Sequence, residues 1–406
     1  MKILYLVHQF FPKYYFGTER FTLNLSSQMR RLGHHSIILT YDRKASNPSY
    51  RRLSDGIYVK AYDYDQLPVI SFLNTSLSPS QLIYDRQMEA AFPKLKLGEL
   101  DIVHVTHPMW LASIAKRCKT KHGLPIVLTL TDTWLLCPRG QIDRNFRFCK
   151  GPTAEGGCPT NCIFKDRSKT MLRHSQAINL LNLADEVVTA SKLTAETFRN
   201  NGWNGPIRII THSIDYRHIR RSEPDSSKFS LVFIGSFSLQ KGLHVLLRAM
   251  QKVHHPRVAL KVYAPLKDNP RYAAKFLELA RGDPRIDFLG EFDLADFPRI
   301  MAGASALVVP SVYPDNYPTV VLLSLACGVP VIGSNVGGIP EIIQNGANGI
   351  LFEPGNSDQL ASTIEELAIN PDKIRRLREK IVSPRRSEEE AFDYEGIYEK
   401  LVSRSS

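Results

Sequence analysis

Short apolar runs of the kind that fill a strand buried on both faces recur through this chain, separated by stretches with helical periodicity. That alternation constrains the fold more than any other feature. Residues 3–7, 36–41, 101–105, 125–129 and 186–189 read as strands, and 18–32 is the first of the helices between them. Such a series folds into a mostly parallel sheet with helices on both faces. A short strand at 208–210 is followed by the polar stretch 220–228, which reads as a linker. A second series starts at 229–235 and runs through 259–263, 285–289, 306–309 and 331–333. At 406 residues the chain has the length for two such domains, each with its own core. The expected divisions are 1–211, 212–385 and a final segment 386–406, in which Phe392, Tyr394, Ile397, Tyr398 and Leu401 recur at helical spacing.

Composition narrows the class. With 43% hydrophobic and 23% charged residues the chain has the balance of a soluble globular protein. No apolar run reaches the length of a membrane span without Pro or Gly, and the N-terminus enters a strand without a cleavage-site pattern, so the expectation is cytoplasmic. The formal charge of +12 admits three kinds of partner: nucleic acid, an anionic membrane surface, or polyphosphate ligands. No nucleic-acid motif accompanies the basic residues, which are scattered as pairs such as Arg51-Arg52 and Arg220-Arg221. Peripheral contact with the inner, anionic face of a membrane fits an enzyme acting on a lipid-linked acceptor.

The most specific stretch runs from residue 305 to residue 352. Its first part, 305–309, reads as a buried strand, 318–326 as a helix and 329–333 as the next strand, a βαβ unit with loops exposed at one edge. Asp315 and Asn316 fall at the loop-to-helix junction, where side-chain oxygens cap free N–H groups and an anion is favoured. Gly337 and Gly338 follow the second strand, where missing Cβ atoms let a ligand approach the backbone. With Leu325-Ala326-Cys327-Gly328-Val329-Pro330 and Asn345-Gly346-Ala347-Asn348-Gly349, the segment resembles the donor-sugar site of the retaining glycosyltransferases of family 4. The family's motif carries two acids. Asp315 takes the place of the first, one methylene shorter than the usual glutamate. The second falls on Leu323, which cannot hydrogen-bond ribose hydroxyls. Ser324 stands beside it as a partial substitute.

The resemblance covers nearly the whole chain and implies a GT-B architecture: two Rossmann-like domains facing across a cleft, with the C-terminal helix crossing back to the first. Phe233-Ile234-Gly235-Ser236-Phe237 and then Lys241-Gly242 match the family's strand, glycine turn and lysine-glycine, although Ser236 stands where many relatives have arginine. Alone, Lys241 is a surface lysine; in this motif its implied task is to neutralise the donor diphosphate as charge builds on the leaving group. In the first domain, His8 to Pro12 and then Phe16-Gly17-Thr18-Glu19 resemble the family's first strand, glycine loop and glutamate-led helix. Phe16 replaces one glycine, Gly17 permits close approach, and Thr18 is placed to cap.

The acceptor side departs further. Relatives most often carry an active-site histidine at the position of Thr106, and often another at that of Thr131. His107 comes one residue later and points differently, because side chains alternate along a strand. A solvent histidine and an acceptor-site histidine are equally consistent with it. Asp132 is retained, either to orient the acceptor or a neighbouring histidine, or as a capping aspartate.

The segment 134–164 holds Cys137, Cys149, Cys158 and Cys162, and a loop this long calls for a tether. Four thiolates suit tetrahedral zinc, two disulfides are the alternative but fit a reducing compartment poorly, and an iron–sulfur cluster is a third option. A similar loop occurs in a subset of the resembled enzymes, which points to a structural role that shapes the acceptor pocket.

The implied reaction transfers a sugar from a nucleotide-diphosphate donor to a carbohydrate or lipid-linked acceptor hydroxyl, with retention, in glycan, polysaccharide or glycolipid biosynthesis. It needs no metal or other cofactor for the chemistry. The implied donor contacts are Gly17, Gly235, Ser236, Lys241, Asp315, Asn316, Ser324, Gly337 and Gly338, and the implied catalytic set is Lys241, Asp315, His107 and Asp132. A degenerate transferase that binds sugar nucleotide or a partner without turnover is the rival.

Overall fold

The computed structural model describes residues 1–42, 50–54, 56–73, 84–138, 149, 151, 167–216, 219, 221, 227–265 and 270–405. The chain divides into two compact units, one formed by Met1–His212 with Ser387–Ser406 and the other by Ser213–Arg386.

Among its described residues the first unit has nine strands: β1 (Lys2–Leu6), β2 (His35–Asp42), β3 (Arg51–Ser54), β4 (Ile57–Tyr64), β5 (Leu67–Leu73), β6 (Ile102–Val105), β7 (Ile126–Leu130), β8 (Glu186–Thr189) and β9 (Arg208–Ile209). They lie in the order β3-β4-β5-β2-β1-β6-β7-β8-β9, parallel except where β4 pairs with β3 and β5. Period-two alternation divides β1 between two cores. Leu4 and Leu6 join Val103 and Val105 on one face, while Ile3, Tyr5 and Val7 meet Ile102, Tyr394 and Tyr398 on the other. Both faces are dry from Ile3 onward, and the strand is apolar over that stretch. Each fully buried Leu or Ile there contributes about 1.5–3 kcal/mol.

The helix Ser387–Ser405 belongs to this unit and packs on the helix Gly17–Arg31. Its position is held by Gln28 Nε2, which donates to Ser387 Oγ at 3.0 Å, and by His34 Nε2 at 2.8 Å from Glu395 Oε1. Beneath it, His104 is fully buried, with Nδ1 2.6 Å from the Tyr398 hydroxyl and Nε2 2.7 Å from Thr129 Oγ1.

The second unit has six strands, β10 (Phe229–Ile234), β11 (Val258–Tyr263), β12 (Ile286–Gly290), β13 (Ala306–Val309), β14 (Val331–Ser334) and β15 (Gly349–Phe352). Their order is β12-β11-β10-β13-β14-β15 and every pairing is parallel. One face packs Leu231, Phe233 and Val308 against Leu243, Leu247 and Ile364; the other packs Val232, Leu307 and Val331 against Val321, Leu325 and Ile339. No described helix is long and apolar enough to cross a membrane.

Two local expectations change. Sequence reading places no strand between residues 41 and 101, yet β3, β4 and β5 form an antiparallel edge there. The caps differ as well. The helix Gly17–Arg31 starts from Phe16 with no side-chain cap, so Thr18 lies inside the first turn and does not cap it. Likewise Thr319–Ala326 starts from Pro318 without a side-chain cap, and neither Asp315 nor Asn316 serves there.

Burial lowers the His104 pKa from 6.5 to about 3, so the folded protein keeps the ring neutral where the unfolded chain protonates it. This contribution to stability is complete above 6.5 and is lost as pH falls toward about 3, at up to about 1.4 kcal/mol per pH unit. Urea titrations across that range should show a shallower pH slope for His104→Gln than for the native protein. Equal slopes would show that His104 contributes none of it.

Candidate functional site

Adjacency of β10, β13 and β14 brings three loops together beyond the carboxyl ends of those strands, where open α/β sheets bind ligands. Lys241 comes from the first loop, Asp315 and Asn316 from the second, Gly337 and Gly338 from the third. Backbone contacts join the loops: Val312 N–H donates to the Gln240 carbonyl at 2.9 Å and Gly338 N–H to the Asp315 carbonyl at 2.7 Å.

Glycine makes these contacts possible. A Cβ on Gly242, at φ +69°, would lie 1.7 Å from the Pro310 carbonyl oxygen, and one on Gly338 would lie 1.7 Å from that of Asn316. Gly337, at φ +68°, would meet the Asp315 backbone at 2.5 Å. The missing Cβ atoms of Gly337 and Gly338 therefore admit the protein's own loop, and the Gly338 N–H is already engaged by the Asp315 carbonyl. Gly17 contrasts with them. A Cβ there meets nothing within 4 Å, so packing does not require glycine.

Within this frame Lys241 Nζ donates to Asp315 Oδ1 at 2.6 Å, and Ser311 Oγ donates to Oδ2 at 2.8 Å. The Lys241 side chain is 37% exposed and that of Asp315 only 16%, so the ammonium is the accessible member of the pair. An ammonium has three N–H groups, and the Asp315 contact uses one. Gly235 ends β10 with its N–H on the Tyr263 carbonyl, and Ser236 Oγ lies 3.1 Å from Ser238 Oγ. Leu323 is half-buried, whereas Ser324 is fully buried and donates its hydroxyl to the Val329 carbonyl at 2.9 Å. Ser324 thus closes the end of its helix and has no surface to offer a donor.

In the first unit, adjacent β1, β6 and β7 carry His8, Thr106 with His107, and Thr131 with Asp132 at their carboxyl ends. Met109 N–H donates to His107 Nδ1 at 3.3 Å, which puts the ring proton on Nε2, 3.3 Å from Asp132 Oδ2. Trp134 N–H donates to Asp132 Oδ1 at 2.8 Å. The His107 side chain is 2% exposed and that of Asp132 is 49% exposed. Both ring nitrogens are engaged, so His107 braces Asp132, and the carboxylate is the exposed member of the pair. Against partial desolvation that would raise it, His107, the Trp134 N–H and Arg173 hold the Asp132 carboxyl below its ordinary pKa.

Sequence reading assigns no site role to His8 or Glu19, which complete the cluster. The His8 ring lies 3.9 Å from that of His107, and its Nε2 is 3.6 Å from Glu19 Oε1. Glu19 is fully buried, and that burial raises its pKa. The signal for His8 was its place just past the end of a strand buried on both faces. The two positions where the family resemblance implies histidine, Thr106 and Thr131, are tied into the protein's own hydrogen bonds. Thr106 is fully buried between the Thr22 hydroxyl at 2.7 Å and the Leu6 carbonyl at 3.2 Å, and Thr131 donates to the Thr106 carbonyl at 3.1 Å.

Of the four loop cysteines, Cys137 and Cys149 are half-buried, and Cys158 and Cys162 lie outside the described residues. Among the described residues no group of three or more His, Cys, Asp or Glu side chains is placed to hold a metal ion.

Comparison with known proteins fits this arrangement. The family model described as Glycosyltransferase Family 4 matches residues 16–218, and that described as Glycosyl transferases group 1 matches residues 228–370. An uncharacterized glycosyltransferase of Methanocaldococcus jannaschii is 29% identical over 385 residues, covering 90% of this chain and 89% of its own. The N-acetyl-alpha-D-glucosaminyl L-malate synthase of Bacillus anthracis is 24% identical over 78% of this chain and 79% of its own. Among solved structures, sucrose-phosphate synthase from Thermosynechococcus elongatus superposes with a TM-score of 0.73 at 17% identity over 99% of both chains. Anabaena HepE in complex with UDP-glucose gives 0.70 at 20% identity, over 100% of this chain and 99% of that one. These structures share the two-domain GT-B fold. The first family model alone spans half of the sequence, and the chain belongs to glycosyltransferase family 4.

Proposed function

We propose that this glycosyltransferase moves a sugar from a nucleotide-diphosphate donor to a carbohydrate or lipid-linked acceptor hydroxyl with retention of configuration, in glycan, polysaccharide or glycolipid biosynthesis. The observation that carries the reading is the Lys241–Asp315 pair, set on a frame of glycine contacts at the carboxyl ends of three parallel strands. As the bond from the anomeric carbon to the diphosphate breaks, negative charge grows on the leaving group. Lys241 is placed to meet that charge with the N–H groups that Asp315 leaves available. Asp315 fixes the ammonium and is the contact assigned to the donor sugar. The acceptor oxygen bonds to the anomeric carbon on the face the diphosphate leaves, and its proton passes to the diphosphate. Asp132, held by His107, orients that hydroxyl.

A non-catalytic sugar-nucleotide binder is favoured by one set of facts: the threonines at the expected histidine positions are tied internally, and Leu323 is apolar. Turnover separates the two readings.

UDP-glucose, the ligand in the HepE structure, is the first donor to test within a panel of nucleotide sugars. Calorimetry should show binding that Lys241→Ala weakens by about 10- to 100-fold, the loss of a charge-assisted contact, and NMR of the product should show the donor's anomeric configuration. Absence of binding by any member of the panel sinks the proposal. Binding without donor hydrolysis or transfer supports the non-catalytic reading.

Leu323 lies on a half-buried helix face where a glutamate can reach solvent. Leu323→Glu should therefore tighten donor binding by about tenfold, one hydrogen bond to a charged group, and unchanged affinity for every donor would remove the ribose account.

For Asp132→Asn the acceptor KM should rise by about tenfold or more with donor affinity unchanged. A variant that lowers donor affinity alone would reassign the residue.

A further inference from the structure

Local pairing of Lys241 with Asp315 leaves the formal charge of +12 to be carried elsewhere. We propose that a second anion site, for a ligand bearing phosphate or diphosphate, lies at the opposite edge of the second unit's sheet. A cavity of about 620 Å³ opens there, within the range of small-molecule sites. Around it stand Arg221, Lys228, Arg257, Arg375 and Arg378, with Glu379 the one carboxylate among its described lining residues. Phe229, Leu367 and Ile374, all buried, give it an apolar floor.

Strand polarity separates this cavity from the donor-side loops. Phe229 is the first residue of β10, Ser305 immediately precedes β13, and Gly328 lies just ahead of β14. Lys241, Asp315 and Gly337 follow the other ends of those same strands. Strands of four to six residues put about 13–20 Å between the two edges. One phosphorylated ligand at the donor side does not account for both.

Two of the cations, Arg221 and Arg257, are held by neutral groups. Arg221 Nη2 donates to the Ile381 carbonyl at 2.7 Å and Arg257 Nη2 to that of Ala368 at 3.4 Å. A neutral carbonyl fixes a guanidinium and leaves its charge intact, with further N–H groups for an anion. Arg375 differs, since Asp372 at 2.9 Å and Glu379 at 3.9 Å offset it in an exposed, well-screened setting. Arg221 also depends on glycine: a Cβ on Gly328 would stand 3.1 Å from the Arg221 Cγ, so a side chain there would press on the arginine stem.

Phosphate reaches such a site either as a soluble phosphorylated metabolite or as an anionic lipid headgroup, and the experiment separates them. The full chain carrying Lys241→Ala, which weakens the donor site, is titrated with inorganic pyrophosphate and separately mixed with phosphatidylcholine vesicles with and without phosphatidylglycerol. Amide hydrogen exchange is followed in both. We expect protection across residues 367–379, and a loss of affinity of about tenfold or more in Lys228→Glu. Lys228 is an exposed residue at the rim, so its replacement leaves the core intact. Protection by pyrophosphate without co-sedimentation assigns the site to a soluble ligand. Co-sedimentation that requires phosphatidylglycerol and is lost in Lys228→Glu assigns it to a headgroup. Exchange across 367–379 unmoved by either probe overturns the proposal, whether or not the native protein binds nucleotide sugars.

Discussion

Backbone approaching backbone at the carboxyl ends of β10, β13 and β14 is the constraint on which the donor-side geometry depends. The Asn316 carbonyl occupies the space a Cβ of residue 338 would need, and the Pro310 carbonyl does the same to residue 242. Any side chain at either position forces a loop outward by more than an ångström. Asp315 sits on the displaced segment, so its carboxylate would leave the reach of Lys241 Nζ, now 2.6 Å away. The glycines act on chemistry through distance: they place one carboxylate against one ammonium, and the protein's own chain is the object they let in.

On the first unit the same topology yields a different kind of device. His107 is buried and bonded at both ring nitrogens, while Asp132 is half-exposed and takes bonds at both oxygens. A buried imidazole with a fixed tautomer is a poor proton carrier but a good brace. Asp132 keeps its charge because His107, the Trp134 N–H and Arg173 all favour the ionised form. The adjoining His8–Glu19 contact is desolvated, and there the carboxyl is pushed the other way. The two carboxyls are thus shifted in opposite directions, and the accessible one is shifted toward the ionised form.

How much of this could be read from sequence follows from burial. Strands covered on both faces leave continuous apolar runs, and Glu186–Thr189 is legible to the residue and Ala306–Val309 to within one. The edge strands β3 and β4 are only half covered, so their mixed pattern, with lysine, arginine and aspartate among the apolar residues, carries no comparable signal. The helix Thr319–Ala326 is apolar almost all round. Without a polar face, its sequence does not tell which of Leu323 and Ser324 turns outward, and the polar residue proves to be the buried one. The need for room at Gly337 and Gly338 was legible, and the close approach of the Asp315–Asn316 backbone was not, because a one-dimensional motif shows that room is needed and not for what. His8 and Glu19 escaped for a related reason: the contact of His8 with His107, which ties Glu19 to the cluster through His8, depends on the lateral order of β1 and β6, which spacing along the chain does not encode.

Charge is the quantity that sequence counts well and places poorly. Scattered arginine pairs look like solvated surface, and most of them are. Yet Arg221, Arg257 and Arg378, far apart in sequence, converge because a parallel sheet gathers all its strand beginnings along one edge and all its strand ends along the other. The two edges then acquire opposite electrostatic economies. At the strand ends Lys241 is matched by a carboxylate that keeps it in register for a developing charge. At the strand beginnings Arg221 and Arg257 are matched by neutral carbonyls, which hold position and leave those two charges intact. A cation paired with a carboxylate suits a leaving group that becomes more negative, as we propose for Lys241, and cations held by neutral carbonyls suit a charge that is already there, as we propose for Arg221 and Arg257.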